Sequence, residues 1–266
     1  MNIFWQELRF NRRTTIIWMV AFAFGIFSYM SLYTAFSHDV SQSMKLLQGF
    51  PPVVRAVLGI RIESFFTVLG FFGYMLTYLW LIGSIQAMNL GTGILSKEIS
   101  GKTADFLLSK PISRFKVLTS KLAAALAIII ATNIVFVTAS YFSAEVFKTK
   151  DFDVTVFALT CLTMLFIQLF FLSLGFLISV LVPKIKSVLA YSLPIVFGFF
   201  IIGMLDSVIG AENARYLTPF KYFDVGYIAL HSAYEWRFLL TEALVVIVCV
   251  VVTYIIFTRR DIQAPV

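Results

Sequence analysis

Residues Val154–Val182 read VTVFALTCLTMLFIQLFFLSLGFLISVLV, an apolar run without a single Asp, Glu, Lys or Arg. About 20 predominantly apolar residues are enough to cross the hydrocarbon core of a bilayer as an α-helix. The run exceeds that length, and its most polar side chain is the amide of Gln168. The stretch therefore predicts a membrane-spanning helix.

Five further runs of the same kind occur in the 266 residues. The chain is 60% hydrophobic and 13% charged, whereas about 25% of a soluble domain is charged. Only helices or closed barrels satisfy the backbone in lipid, and continuous rather than alternating apolar runs exclude a barrel. We therefore predict an all-α integral membrane protein with one transmembrane domain over residues 1–266. The six expected spans are Thr15–Phe36, Phe65–Leu90, Leu122–Ala144, Val154–Val182, Val188–Leu205 and Phe238–Thr258.

The distribution of charge orients these spans. Six crossings leave both termini on one side of the membrane, together with the segments 91–121 and 183–187. Thirteen of the 21 basic residues lie on that side, against four of the 14 acidic residues. Because basic residues accumulate in cytoplasmic loops, we predict that both termini are cytoplasmic. The net charge of +7 then reflects membrane topology and does not indicate nucleic-acid binding.

Two segments outside the spans have helical character. Phe4 and Leu8 lie one turn apart among polar neighbours, which is typical of an amphipathic helix in the cytoplasmic interface; a basic flank that only orients the first span is the alternative. The outer segment 206–237 is rich in aromatic residues, and we interpret it as short helices that re-enter the outer leaflet before the last span. An aromatic belt at the lipid headgroups explains that composition equally well.

The sequence Gly101-Lys102-Thr103 matches the end of a nucleotide-binding P-loop. The full pattern, G-x-x-x-x-G-K-[ST], needs an earlier glycine because both glycines let backbone N–H groups surround the phosphates. That position is occupied by Ser96, and the stretch follows a membrane helix rather than a strand. A P-loop is therefore excluded.

No other catalytic or metal-binding pattern is found in the sequence. His38 and His231 lie far apart, and neither an H-E-x-x-H motif nor a G-x-S-x-G turn occurs. Ion-coupled carriers normally bury ionisable residues in their spans, but here only Glu242 is found, about one turn inside the last span, where snorkelling or pairing is expected. We predict no catalytic residue, no metal site and no cofactor bound by this chain.

The loop between the second and third spans has the features of a docking helix. Ser100 or Thr103 can cap a short helix, an apolar stripe runs through Leu107–Leu108, and Pro111 ends it. Ser113 can then cap the helix that continues into the third span. A protein partner can recognise such an apolar face in a groove, whereas a helix that only lies on the membrane surface is the alternative.

The stretch Glu98–Arg114, EISGKTADFLLSKPISR, resembles a segment of the membrane subunits of bacterial ABC-2 type exporters (type V ABC transporters). Their usual pattern is an acid followed by G-T-x-[DE]-x-L-L-x-x-P-[IV]-S-R, and Lys102 departs from it by separating Gly101 from Thr103. The six spans, the amphipathic N-terminus and the aromatic outer segment are also similar to this family. The matching residues are Glu98, Gly101, Asp105, Leu107, Leu108, Pro111, Ile112, Ser113 and Arg114.

This resemblance implies that segment 98–114 is a cytoplasmic coupling helix, which seats in a groove of a separate ATPase subunit. It implies two ATPase copies, which bind ATP and Mg²⁺, and a second membrane subunit that is expected to be an identical chain. The chain would then be a transporter subunit in a bacterial plasma membrane, and not an enzyme. The residues assigned to ATPase coupling are Glu98, Gly101, Thr103, Asp105, Leu107, Leu108, Pro111 and Arg114.

The composition of the spans indicates the class of cargo. They are rich in Phe and Leu and hold no fixed charge for a small ion, so we expect export of a hydrophobic or amphipathic substrate, such as an antimicrobial or toxin-like peptide, a drug or a lipid. The candidate residues lining the pathway are Phe166, Gln168, Phe170 and Phe171, with helix packing as the alternative. Two other functions stay open: a membrane sensor or assembly protein that recruits a cytoplasmic partner, and a channel or secondary carrier.

Overall fold

The computed structural model of the chain describes residues 3–38, 40–100, 113–182 and 185–259. Within these ranges six helices are long and apolar enough to cross a membrane. They are α1 Ile3–His38, α5 Val68–Ser100, α6 Arg114–Phe147, α7 Val154–Leu181, α8 Leu189–Ile209 and α10 Trp236–Arg259. Shorter helices connect them: α2 Val40–Gln48, α3 Pro52–Leu58, α4 Ile62–Phe65 and α9 Val225–His231, with 3₁₀ turns at Glu212–Leu217 and Pro219–Lys221.

The prediction of six membrane-spanning helices is confirmed, but five of the helices extend beyond the predicted apolar runs, and α1, α5 and α6 do so by two turns or more. α5 continues to Ser100, and α6 begins at Arg114, well before the apolar run at Leu122. α1 runs from Ile3 into the first span without a break. The predicted N-terminal amphipathic helix is therefore the first part of α1 and is continuous with the first span. Helical hydrogen bonding continues past the edge of an apolar run, which the run itself does not reveal.

Contacts at the two ends of the bundle establish that successive spans alternate in direction. At one end, Lys121 of α6 bonds both Glu7 of α1 and the backbone carbonyl of Ile94 in α5. At the other, the Tyr33 hydroxyl of α1 donates to the carbonyl of Phe66, just before α5, at 3.1 Å. Tyr254, near the end of α10, lies 2.9 Å from Thr119 Oγ1, near the start of α6, so both described termini lie at the same end. We call this end of the bundle the basic end and the other the opposite end.

The crossing of α5 and α7 is the centre of the bundle. A Cβ atom added at Gly91 would lie 2.4 Å from the carbonyl oxygen of Leu172, and one at Gly175 would lie 2.8 Å from that of Met88. Helices in lipid approach each other closely through such small residues. α6, α8 and α10 also pack against this pair, while α1 packs mainly on α6.

The segment between α8 and α10 folds back along the bundle from the opposite end. Thr218 Oγ1 donates to the carbonyl of Phe199 at 2.8 Å, and the Phe220 ring lies 5.4 Å from the ring of Phe171. Phe199 is about 15 Å from the end of α8 at Ile209, at 1.5 Å per residue. The re-entrant helical segment that the aromatic composition suggested is therefore confirmed.

Candidate functional site

Most of the predicted coupling segment lies outside the described residues. Six of its assigned residues are in this group, and for Glu98 only the helical backbone at the end of α5 is described. The helix after the segment is well defined, because the Ser113 hydroxyl accepts a hydrogen bond from the backbone N–H of Lys116 at 3.4 Å. Ser113 therefore caps α6 as predicted, and Arg114 is the first residue of that helix. The six outside the described ranges are Gly101, Thr103, Asp105, Leu107, Leu108 and Pro111.

A buried ion pair fixes the two helices that flank this segment. The side chain of Lys121 in α6 is 1% exposed and pairs with Glu7 of α1, which is 14% exposed. The Lys121 ammonium also donates to the carbonyl of Ile94 in α5 at 3.0 Å. A buried charge is tolerated only when it is paired and hydrogen-bonded. The Glu7–Lys121–Ile94 contact, which we call the basic-end clamp, therefore joins α1, α5 and α6.

The clamp was not predicted from the sequence, because Lys121 has the same pattern as the other basic residues that flank the spans. A usable signal was present: Glu7 is the only acidic residue before the first span. The start of α6 also contacts α10, because Thr119 Oγ1 lies 2.9 Å from the Tyr254 hydroxyl and Phe115 lies 5.1 Å from the Tyr254 ring. The first turns of α6 thus connect four of the six spans.

A buried polar network lies near the middle of the spans. Gln168 of α7 donates to Gln86 Oε1 of α5 at 3.0 Å, and accepts a hydrogen bond from Asn133 Nδ2 of α6 at 2.5 Å. Gln86 in turn donates to Thr132 Oγ1 of α6 at 3.2 Å. Such groups commonly hydrogen-bond between helices in lipid. The network fixes the relative register of α5, α6 and α7.

The residues named as pathway lining all belong to packed contacts within the chain. Phe166 stacks on Phe223 with 5.4 Å between the ring centroids. Phe170 and Phe171 each lie 5.8 Å from the ring of Phe199, and Gln168 is fully buried in the polar network. A role for these four residues in a transport pathway stays a prediction.

Glu242 of α10 is buried, with 4% of its surface exposed, so it does not snorkel to the headgroups. Its Oε2 atom has no hydrogen-bond partner in the part of the chain that the structure describes. Burial first and the neighbouring Glu242 carboxyl second raise the pKa of Tyr222, in the re-entrant segment, to about 12. The Tyr222 hydroxyl donates to the carbonyl of Tyr216 at 3.0 Å, so it stays a neutral donor.

The chain has six apolar spans, a re-entrant segment, and a connecting segment whose two flanking helices are held by the basic-end clamp. These features define a multi-pass membrane protein. A family model described as ABC-2 family transporter protein matches residues 1–262. The chain therefore belongs to the ABC-2 family, the membrane components of ABC transporters. A search of curated proteins found no match to this chain.

Proposed function

We propose that this chain is the permease subunit of an ATP-driven exporter whose ATPase is a separate protein. Segment 98–114 docks on that ATPase at the cytoplasmic face and transmits the movement caused by ATP binding and hydrolysis. The family match over residues 1–262 supports the permease role. The absence of a P-loop in the sequence supports the division of labour, because nucleotide chemistry needs the glycine that Ser96 replaces.

The observation that carries the coupling proposal is the basic-end clamp. A docking segment transmits force only when the helices on either side of it cannot slip past their neighbours. Lys121 on one flanking helix bonds the carbonyl of Ile94 on the other, and it also pairs with Glu7 of α1. A push on segment 98–114 would therefore displace α1, α5 and α6 together rather than one helix alone.

The proposed cargo is hydrophobic or amphipathic and leaves the cell. The chain exposes large apolar side chains along its spans, including Phe24 in α1 and Leu244 in α10. An amphipathic peptide, a drug or a lipid can move along such a surface without losing contact with apolar groups. Small ions would find no comparable pathway of charged groups in the described spans.

The test uses this chain purified together with its partner ATPase and reconstituted into vesicles. Changing Leu107 and Leu108 together to Asp places charge on the predicted apolar docking face. We expect loss of ATPase binding and of cargo-stimulated ATP hydrolysis, because a desolvated interface does not accept unpaired charge. Pull-down of the ATPase and phosphate release are the measurements.

Ser109→Asp is the matched control, since it adds negative charge to the same segment without removing an apolar residue. This variant should keep most of the binding and turnover. A Leu107→Asp/Leu108→Asp variant that binds and stimulates the ATPase normally would contradict the coupling proposal. Transport of amphipathic peptides that continues without ATP and follows an ion gradient would contradict the proposal of an ATP-driven exporter.

A further inference from the structure

A cavity of about 390 Å³ lies at the opposite end of the bundle, between α5, α8 and the re-entrant segment. This volume is within the range of ligand pockets, about 300–1,000 Å³. Gly73 lets α5 approach α9 closely along one wall, because a Cβ there would lie 2.8 Å from a methyl carbon of Val225. The cavity lies at the end of the bundle away from Ser113 and the end of α5, so coupling to an ATPase does not explain it.

The cationic side chains around this cavity already have acceptors. The three pairs are Arg61 with Asp224, Arg215 with Glu235, and Lys221 with Ser207. Burial lowers the pKa of Lys221. Burial acts to raise the pKa of Asp224, but the hydrogen bond and charge of Arg61 outweigh it and the pKa lies below its ordinary value. Each of these cations therefore already donates to an acceptor, and of the three only Lys221 donates to a neutral one.

Asp206 is different, because one of its carboxylate oxygens is left without a donor. The residue lines the cavity and is only 7% exposed, and its Oδ1 atom has no hydrogen-bond partner among the described residues. The nearby ammonium group of Lys221 donates to Ser207 instead. Buried carboxylates are normally paired, so the Asp206 carboxylate on the cavity wall is the group there that can accept a hydrogen bond from a ligand donor.

The other walls of the cavity are aromatic and extend inward along the spans. Trp80, Phe200, Phe220 and Phe223 all line it. Trp80 lies about 18 Å along α5 from the start of that helix at Val68, at 1.5 Å per residue. A ligand that fills this space therefore has an apolar body next to its polar donor.

We propose that this cavity binds the primary ammonium group of an amphipathic amine, with the Asp206 carboxylate as the acceptor and the aromatic walls around the apolar part. The hydrogen bond between an ammonium group and a carboxylate is charge-assisted, which makes it roughly twice as strong as a neutral one. Aromatic faces also attract cations. The same ammonium chemistry is found in free amphipathic amines and in the ethanolamine headgroup of phospholipids. The proposal goes beyond the exporter function and does not depend on the ATPase.

The first test compares three probes on the unaltered chain in phosphatidylcholine nanodiscs, by calorimetric titration near neutral pH. Hexylamine, hexanol and hexanoate share one apolar chain and differ only in the head group. We expect saturable binding of one hexylamine per chain, with hexanol weaker by about tenfold or more, since a hydrogen bond to a charged group contributes about 1.5–3 kcal/mol. Hexanoate should not bind. Equal affinity for hexylamine and hexanol, or no saturable amine binding, would overturn the proposal.

The second test removes the acceptor charge with Asp206→Asn, which preserves the size of the side chain. Hexylamine affinity should fall by about tenfold or more, while an unchanged thermal unfolding midpoint shows that the variant is folded. Glu212→Gln is the control, because Glu212 is an exposed carboxylate at the same end that does not line the cavity. Unchanged amine affinity in Asp206→Asn would contradict the assignment of Asp206. If Asp206→Asn fails to fold, the comparison of the three probes on the unaltered chain decides whether the amine site exists.

A third measurement identifies the source of the ammonium group. Replacing half of the phosphatidylcholine by phosphatidylethanolamine should weaken apparent hexylamine binding if the lipid headgroup occupies the cavity. Unchanged binding would assign the cavity to free amphipathic amines. Because every measurement uses this chain alone, failure of the amine site leaves the ATPase-coupling proposal intact, and the reverse also holds.

Discussion

The ammonium group of Lys121 is almost completely shielded from water by the described residues, because only 1% of the side chain is exposed. Moving a lone ammonium into such surroundings costs several kcal/mol even after relaxation. Glu7 supplies the opposite charge, and the carbonyl of Ile94 supplies a second acceptor. The pair is therefore better understood as a device that fixes the positions of helices than as a large net source of stability.

This view of the clamp predicts an asymmetry between single and double substitutions. Glu7→Gln should lower the free energy of unfolding by about 3 kcal/mol, because it removes the carboxylate that pairs with the buried Lys121 ammonium. The double variant Glu7→Leu/Lys121→Met should be much closer to the unaltered chain, since replacing a buried pair by apolar groups is often neutral. Denaturant titration in mixed micelles measures both.

Glu212→Gln serves as the control for this measurement as well. Glu212 pairs with Arg237 at 3.1 Å, but both side chains are about half exposed or more. Exposed pairs contribute about 0.2–1 kcal/mol, so this variant should change little. If Glu7→Gln costs no more than Glu212→Gln, the clamp does not hold the helices.

At the scale of the helices, composition predicted a great deal. Each of the six spans was recognisable because a residue in lipid must be apolar whatever its neighbours are. Ser113 as a helix cap was equally recognisable, because capping depends on a local pattern. The Glu7–Lys121 pair was not recognisable from the sequence, since its partners are 114 positions apart and only the packed bundle brings them together.

The close approach of α5 and α7 could not be predicted from the sequence either. A glycine in an apolar run is compatible with lipid, with a helix contact or with a bend, and Gly91 and Gly198 look alike in that respect. The structure separates them: a Cβ at Gly91 would collide with the carbonyl of Leu172, whereas one at Gly198 would meet nothing within 4 Å. The difference depends on the register of two helices, which is a tertiary property.

The two glycines make a matched pair of substitutions. Gly91→Ala should destabilise the chain by about 1–3 kcal/mol, because the added methyl group forces α5 and α7 apart. Gly198→Ala should be neutral or stabilise by up to about 1 kcal/mol, since alanine is the better helix former. Unfolding in mixed micelles and the yield of folded protein are the measurements. Equal effects of the two substitutions would contradict a tight α5–α7 crossing.

At the scale of the whole molecule, packed side chains close the centre of the bundle, beyond the cavity at its opposite end. Phe72, Phe171 and Phe176 are essentially inaccessible, and the polar network around Gln168 closes the centre of the bundle. By contrast, outward-facing side chains such as Phe24 are largely exposed. A pathway for a bulky amphipathic cargo therefore fits better between two chains than through a single chain.

Because the apolar outer face is exposed and the centre of the bundle is closed, we predict a complex of two permease chains with two ATPase subunits. Native mass spectrometry of the purified complex should give a two-to-two assembly, because a route between chains requires a second copy of the apolar outer face. The Leu107→Asp/Leu108→Asp variant should lose both ATPases but keep the pair of permease chains, since in the sequence its changes fall between α5 and α6, outside the described spans. A one-to-one complex that still transports cargo would place the pathway inside one bundle, and it would require Phe166, Gln168, Phe170 and Phe171 to separate during turnover.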